Sequence, residues 1–205
     1  MPAKDVPDIV VSRLPLYLRA LSFLAEEGLQ VISSKELGHK LGISPAQIRK
    51  DLSHFGEFGK QGTGYNIQYL RDQLRRILKV TEEREVALVG AGDLGRALMH
   101  YGGFAGRGFR ISLVFDNNPQ KIGQKMGPFE ILDSESIETI VADRGIEIAI
   151  VAVPAEAAQE VVDALVRAGV KAILNYAPIT VKVPEGVHVQ YIDPVIHLQR
   201  MTYYL

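Results

Sequence analysis

Glu85-Val86-Ala87-Leu88-Val89-Gly90-Ala91-Gly92-Asp93-Leu94-Gly95 is the stretch on which the fold of this chain turns. Its first five residues are an apolar run of strand length. Beyond the glycines, Leu94, Ala97, Leu98 and Tyr101 recur at helical spacing. A strand, a GxGxxG and a helix in that order form a dinucleotide fingerprint, whereas the glycines alone would be weak. The first glycine permits the tight turn, the second lets a pyrophosphate approach the backbone, and the third lets helix and strand pack closely. The helix amino terminus, around Ala91, Asp93 and Leu94, offers free N–H groups to phosphate. About twenty residues on, Ile111-Ser112-Leu113-Val114-Phe115 ends in Asp116, placed to accept hydrogen bonds from an adenosine ribose. A carboxylate there repels the 2′-phosphate of NADP, so the spacing favours NAD(H). The same aspartate also suits a plain turn before Asn117-Asn118-Pro119.

Towards the carboxyl end, strands and helices go on alternating. Phe129–Leu132, Glu147–Val153, Lys171–Asn175 and Val187–Ile192 read as strands, and Ser134–Ala142 and Glu156–Ala168 as helices. Alternation of this kind predicts a Rossmann-like doubly wound parallel sheet with its ligand at the carboxyl ends of the strands. Those ends carry Gly90 to Gly95, Asp116, Val153-Pro154 and Asn175-Tyr176-Ala177-Pro178, expected to line one crevice. No His-Asp or Tyr-x-x-x-Lys pairing marks hydride transfer, and little more than one nucleotide-binding domain follows the first glycine. We therefore expect no enzyme and no catalytic residues. Tyr101 and His100 suit either a nicotinamide contact or half-buried helix positions. Asp193-Pro194 opens a terminal helix, Pro194 to Leu205, too apolar to lie solvated. A second subunit would supply its groove.

Towards the amino end, a helix is expected from Arg13 to Glu27, with Leu14, Leu18, Leu21, Phe23 and Leu24 as its apolar stripe. A short helix, Lys35–Leu41, is capped by Ser33 or Ser34. After Gly42, Ser44-Pro45-Ala46-Gln47 opens another that runs to about Phe55, with Ser44 and Gln47 as a capping box. The arrangement reads as helix-turn-helix. Burial of Ile48, Leu52 and Phe55 leaves Gln47, Arg49, Lys50, Ser53 and His54 for base edges or phosphates, with Ser44 at the helix start. Gly56 to Tyr65 holds four more glycines around Lys60 and suits a β-hairpin wing, with Lys60, Gly62 and Tyr65 against DNA. Tri-helical units with a glycine turn also serve as protein-docking modules. Local basicity around Lys35, Lys40, Arg49, Lys50, Lys60, Arg71, Arg75, Arg76 and Lys79 favours nucleic acid. A further helix, Ile67–Leu78, and a polar linker, Thr81–Arg84, close this domain.

Composition agrees with two small domains. The 205 residues are 47% hydrophobic, with formal net charge −1 and no cysteine. Disulfides, cysteine-ligated metals and thiol redox sensing are excluded, so a redox signal would need a bound ligand. No apolar run is long enough for a membrane span, and the start lacks a signal peptide's apolar region. We expect neither membrane nor metal association, and a cytoplasmic location.

The chain resembles the Rex family of redox-sensing transcriptional repressors over essentially its whole length. The resemblance is carried by Arg13-Leu14-Pro15-Leu16-Tyr17-Leu18-Arg19, Ser44 to Ser53 with Phe55-Gly56, and Gly62-Thr63-Gly64-Tyr65. It continues through Val89 to Gly95, Tyr101-Gly102-Gly103-Phe104, Phe115-Asp116, Val153-Pro154-Ala155 with Ala158-Gln159, and Leu174 to Pro178. It implies a homodimer whose winged helices bind a palindromic operator and which NADH releases from DNA, whereas NAD⁺ permits binding. It further implies that Tyr101 lies near the nicotinamide, that the terminal helix crosses into the partner, and that Arg13 and Asp193 form a contact between domains; Phe104 is expected among the cofactor-binding residues. The expected organisation is α/β: a winged helix-turn-helix over 1–80, a Rossmann-like NAD(H) domain over 85–193 and a swapped dimerisation helix over 194–205. A small NAD-dependent oxidoreductase and a CoA-binding domain are the competing readings.

Overall fold

Leu14, Tyr17, Leu21 and Leu24 are all fully buried or nearly so, and their three- and four-residue steps define the inner face of the first long helix. Tyr17 takes the place expected of Phe23, which falls between the steps and stands exposed. The computed structural model describes residues 6–60 and 63–205. They form two compact units, the first ending at Glu82 and the second running from Glu83 to Leu205.

In the first unit, a turn of helix, α1 (Asp8–Val11), leads into α2 (Leu14–Glu26), followed by a two-residue strand, β1 (Val31–Ile32). α3 (Ser34–Leu41) begins with a complete capping box, in which Ser33 Oγ accepts from Glu36 N–H and the Glu36 carboxylate accepts from Ser33 N–H. Such a cap contributes about 1 kcal/mol. Gly42 ends α3 in the left-handed conformation, at φ 67°, and α4 (Pro45–Ser53) follows. Ser44 Oγ accepts from Gln47 N–H, but the Gln47 side chain turns to Asp51, so only half of the expected second box forms.

The glycine-rich segment folds as a hairpin, β2 (Gly59–Lys60) with β3 (Gly64–Asn66), and β1 joins it antiparallel to give the order β1-β3-β2. Tyr65 packs inward at the edge of the core, which corrects its expected place against DNA. Its neighbours alternate to the other face of the short sheet, and Tyr65 supplies the ring that covers Gly59. α5 (Ile67–Ile77), capped by Asn66, buries Ile67, Leu70 and Leu74 against α2.

The second unit is a seven-stranded sheet built from β4 (Arg84–Val89), β5 (Phe109–Asp116), β6 (Lys125–Met126), β7 (Phe129–Asp133), β8 (Ile148–Val151), β9 (Ala172–Asn175) and β10 (His188–Tyr191), in the order β10-β9-β8-β4-β5-β7-β6. All pairings are parallel except β6 with β7. Without β6 this is the doubly wound order of dinucleotide folds, reversing between β4 and β8. Successive β4 residues serve opposite faces: Val86 and Leu88 enter one core, Ala87 and Val89 the other. A register shift skips Ser112 in β5, so Ile111 and Val114 share a face although three residues apart. One face carries a 3₁₀ turn (Ser134–Ser136) continued by α7 (Ile137–Asp143), together with α8 (Ala155–Arg167).

Against the other face lies α6 (Asp93–Met99), through Leu98 and Met99. Leu94, Ala97 and Tyr101, which share the helical spacing with Leu98, are exposed; Gly95 is buried at the contact, and Leu98 and Met99 pack partly beside it. α9 (Pro194–Thr202) closes the chain with no buried residue.

Candidate functional site

Sheet hydrogen bonds draw the carboxyl ends of the strands together. Gly90 N–H donates to Phe115 O, Ala152 N–H to Val89 O, Tyr176 N–H to Val151 O and Ile192 N–H to Asn175 O. Gly90 to Gly95, Asp116, Val153-Pro154 and Asn175-Ala177 therefore follow the carboxyl ends of neighbouring strands, and Asp193 follows β10 at the same edge. The three glycines divide their roles sharply. Gly90 turns at φ 105°, and a Cβ there would sit 2.3 Å from Ala152 O. A Cβ on Gly95 would sit 1.8 Å from Gly90 O, whereas one on Gly92 would meet nothing within 4 Å. Only the middle glycine opens onto free space, where a diphosphate needs the backbone bare. Beside it are the exposed start of α6 at Asp93 and Leu94, and the buried Ala91. This cradle fits a dinucleotide.

Asp116 is buried and crowded with donors. Its Oδ2 accepts from Ala91 N–H at 2.8 Å and from Lys121 Nζ at 3.0 Å, and its Oδ1 accepts from Asn118 N–H at 2.9 Å. Burial alone would push its carboxyl up. The Asn118 and Ala91 amides and Lys121 outweigh it and hold the group below the usual carboxylate range. Asp116 is thus both the turn residue and the tie between β5 and the glycine loop. Lys121 is a site residue that the sequence reading passed over. Its charge offsets the repulsion argued from a bare carboxylate, which corrects the basis for excluding a 2′-phosphate.

Tyr101 stands 55% exposed and meets Phe104 edge-on at 5.3 Å between ring centroids. Tyr176, half-buried, has its hydroxyl pushed up, first by burial and then by Tyr101. Asn175 is wholly buried. Its amide donates to Ala177 O and Ile179 O, and its Oδ1 accepts from Ala177 N–H, so it shapes its own loop. Val153 and Pro154 lead into α8 at the rim, and Ala177 is buried.

The first unit presents a different chemistry. On α4, Arg49, Lys50 and Ser53 are exposed, Gln47 and His54 half-exposed, and Ser44 exposed at the cap. Arg49 Nη1 donates to Ser34 Oγ at 3.0 Å, which steadies the guanidinium between the two helices of the motif. Ser53 Oγ donates to Lys50 O. The Lys60 backbone lies in the wing strand β2, and Gly62 lies outside the described residues. Arg13, expected to serve between domains, has its fork on Asp51 within its own unit, at 2.6 and 2.7 Å. Asp193 caps α9 by accepting from Val195 N–H.

Among the described residues there is no group of three or more side chains able to hold a metal ion, and no helix long and apolar enough to cross a membrane. The model of a putative DNA-binding protein N-terminus matches residues 5–53, and that of a CoA binding domain matches residues 81–179. A redox-sensing transcriptional repressor Rex from Roseiflexus sp. (strain RS-1) is 52% identical over 202 residues, covering 98% of this chain and 92% of that protein. Among solved structures, RSP in complex with β-NAD⁺ and operator DNA superposes with a TM-score of 0.92 at 39% identity, covering 98% of this chain and 93% of that one. RSP in complex with β-NADH gives 0.88 at 37% identity, covering 98% and 94%.

Proposed function

This chain belongs to the Rex family of redox-sensing transcriptional repressors, and we propose that it binds a palindromic operator as a homodimer and leaves it when NADH binds. One observation carries the reading. A nucleotide cradle open only at Gly92 and a winged helix with exposed Arg49 and Lys50 occur in the same chain. The domain model called CoA binding shares the glycine-rich architecture, and the buried Asp116 at the end of β5 favours a dinucleotide within it. The chain is a regulator rather than an enzyme, and we place it in the cytoplasm.

Residues 1–80 serve as the DNA-binding domain, 85–193 as the NAD(H) domain and 194–205 as the dimerisation helix. The cradle from Gly90 to Gly95 takes the pyrophosphate, and Asp116 with Lys121 faces the adenosine ribose. Tyr101, Phe104, Val153, Pro154 and the loop shaped by Asn175 and Ala177 surround the nicotinamide. The bound nucleotide supplies a redox-dependent charge, cationic in NAD⁺ and neutral in NADH. Contacts to the shared adenosine and pyrophosphate cannot discriminate the two, so differential affinity arises at the nicotinamide end. Ser44, Gln47, Arg49, Lys50, Ser53 and His54 read or clamp the operator, and Lys60 and Gly62 add contacts to its phosphates. Arg13, whose Nη1 is free of the Asp51 pairing, and Asp193 are the proposed link between the units.

The DNA half of this reading is tested by enriching duplexes from a random pool with the wild-type protein. Arg49→Ala and Lys50→Ala should each weaken binding to the enriched duplex by ~1–3 kcal/mol, the worth of a base contact. Equal affinity in folded variants would remove α4 from the interface.

A further inference from the structure

Asp51 is a carboxylate with no exposed surface, carried on the helix that also presents the exposed Arg49, Lys50 and Ser53. Four donors converge on it. Its Oδ2 accepts from Arg13 Nε at 2.6 Å and Tyr17 Oη at 2.6 Å, and its Oδ1 from Arg13 Nη2 at 2.7 Å and Gln47 Nε2 at 2.6 Å. A carboxylate offers about four acceptor sites, so this one is saturated. Arg13 and Tyr17 lie a turn apart at the start of α2, and Gln47 lies one turn before Asp51 on α4. Tyr17 is itself fully buried.

Well-packed apolar side chains in place of both the carboxylate and its donors would hold α4 on α2 without desolvating a charge, so the ion pair is a poor device for stability alone. What it adds is direction. The bidentate fork admits one geometry between guanidinium and carboxylate, whereas apolar contacts let one helix roll on another. Ile48 and Leu52 supply the burial, and Asp51 sets the angle at which α4 faces outward. The fourth donor extends this to a residue on the reading surface. With its nitrogen held by Asp51, the Gln47 amide cannot flip. Its Oε1 is the group without a partner among the described residues.

We propose that Asp51 is a positioning residue for base recognition, fixing the roll of α4 and locking the Gln47 amide so that its carbonyl oxygen accepts from an exocyclic amino group in the major groove. Adenine N6 and cytosine N4 are the donors that such an acceptor meets there, whereas guanine O6 and N7 are themselves acceptors and offer that oxygen no partner. The proposal rests on the reading of α4 as the recognition helix.

The test measures base preference rather than affinity alone. Wild type, Gln47→Ala, Asp51→Asn and the double variant are titrated against a duplex enriched by the wild type, each single-base variant of it, and a scrambled duplex. Gln47→Ala should lose discrimination at one adenine or cytosine in each half-site. Asp51→Asn should lose it at that same position by about tenfold, with the salt dependence that reports phosphate contacts unchanged. The double variant should be no worse there than the worse single one. Tyr17→Phe removes one donor and keeps the ring, so it gives the same loss in smaller degree even if Asp51→Asn does not fold. A folded Asp51→Asn or Tyr17→Phe that melts earlier yet keeps the wild-type preference at every position would overturn the proposal, as would uniform weakening on all duplexes. Wild-type protein that enriches no duplex would instead remove the reading of α4 itself.

Discussion

Asp116 and Lys121 show how much one side chain changes the expected selectivity. A bare carboxylate would reject a 2′-phosphate, but here an ammonium sits 3.0 Å from it. Lys121→Ala should therefore widen the preference for NADH over NADPH by about tenfold, near 1.4 kcal/mol, the scale of one partly screened charge. An unchanged ratio in calorimetry would show that the pair does not meet the ribose. Acid offers a second test. A carboxyl held below its usual range stabilises the fold above about pH 4 and loses that contribution as pH falls through its lowered value. Asp116→Asn should therefore show a flatter melting temperature between about pH 5 and pH 2 than wild type, and parallel curves would contradict the Asp116 network. The aspartate itself was legible from its distance to the glycines. Lys121 was not, because its role depends on how the Asn118 turn folds back. Asp51 was equally hidden: an acid inside a short helix reads as solvated, and its partners on α2 and just before it lie 34 and 38 residues away.

At the scale of elements, legibility followed length and burial. β4, β8 and α8 announce themselves because strands buried on both faces are apolar runs and α8 keeps a clean stripe. α1, β1 and β6 escaped, since two to four residues hold no period to detect. α6 had the period but little of the burial, for only Gly95 is buried and Leu98 and Met99 pack partly against the sheet. α9 is the opposite case, an apolar helix whose Val195, Ile196, Leu198 and Met201 all stand more than half exposed. Leaving such side chains in water forgoes about 1.5–3 kcal/mol each relative to full burial. Removing residues 194–205 should convert a dimer into a monomer in sedimentation experiments at micromolar concentration. A truncated chain that still sediments as a dimer would place the interface elsewhere.

For the whole molecule, the claim is that one ligand, in two oxidation states, governs a second site in another unit. Coupling of that kind is reciprocal: whatever NADH does to DNA affinity, DNA must do to NADH affinity. Near-complete switching requires ~10⁴-fold tighter NADH binding to the DNA-free state. Two half-sites ~34–36 Å apart, or a multiple of that, would make modest subunit rotation enough to misplace one recognition helix. The most direct measurement is fluorescence anisotropy of an enriched operator duplex bound by the full chain, titrated in parallel with NADH and NAD⁺ at fixed salt. The account predicts release by NADH and continued binding with NAD⁺. Equal release by both nucleotides, or none by either, would contradict it.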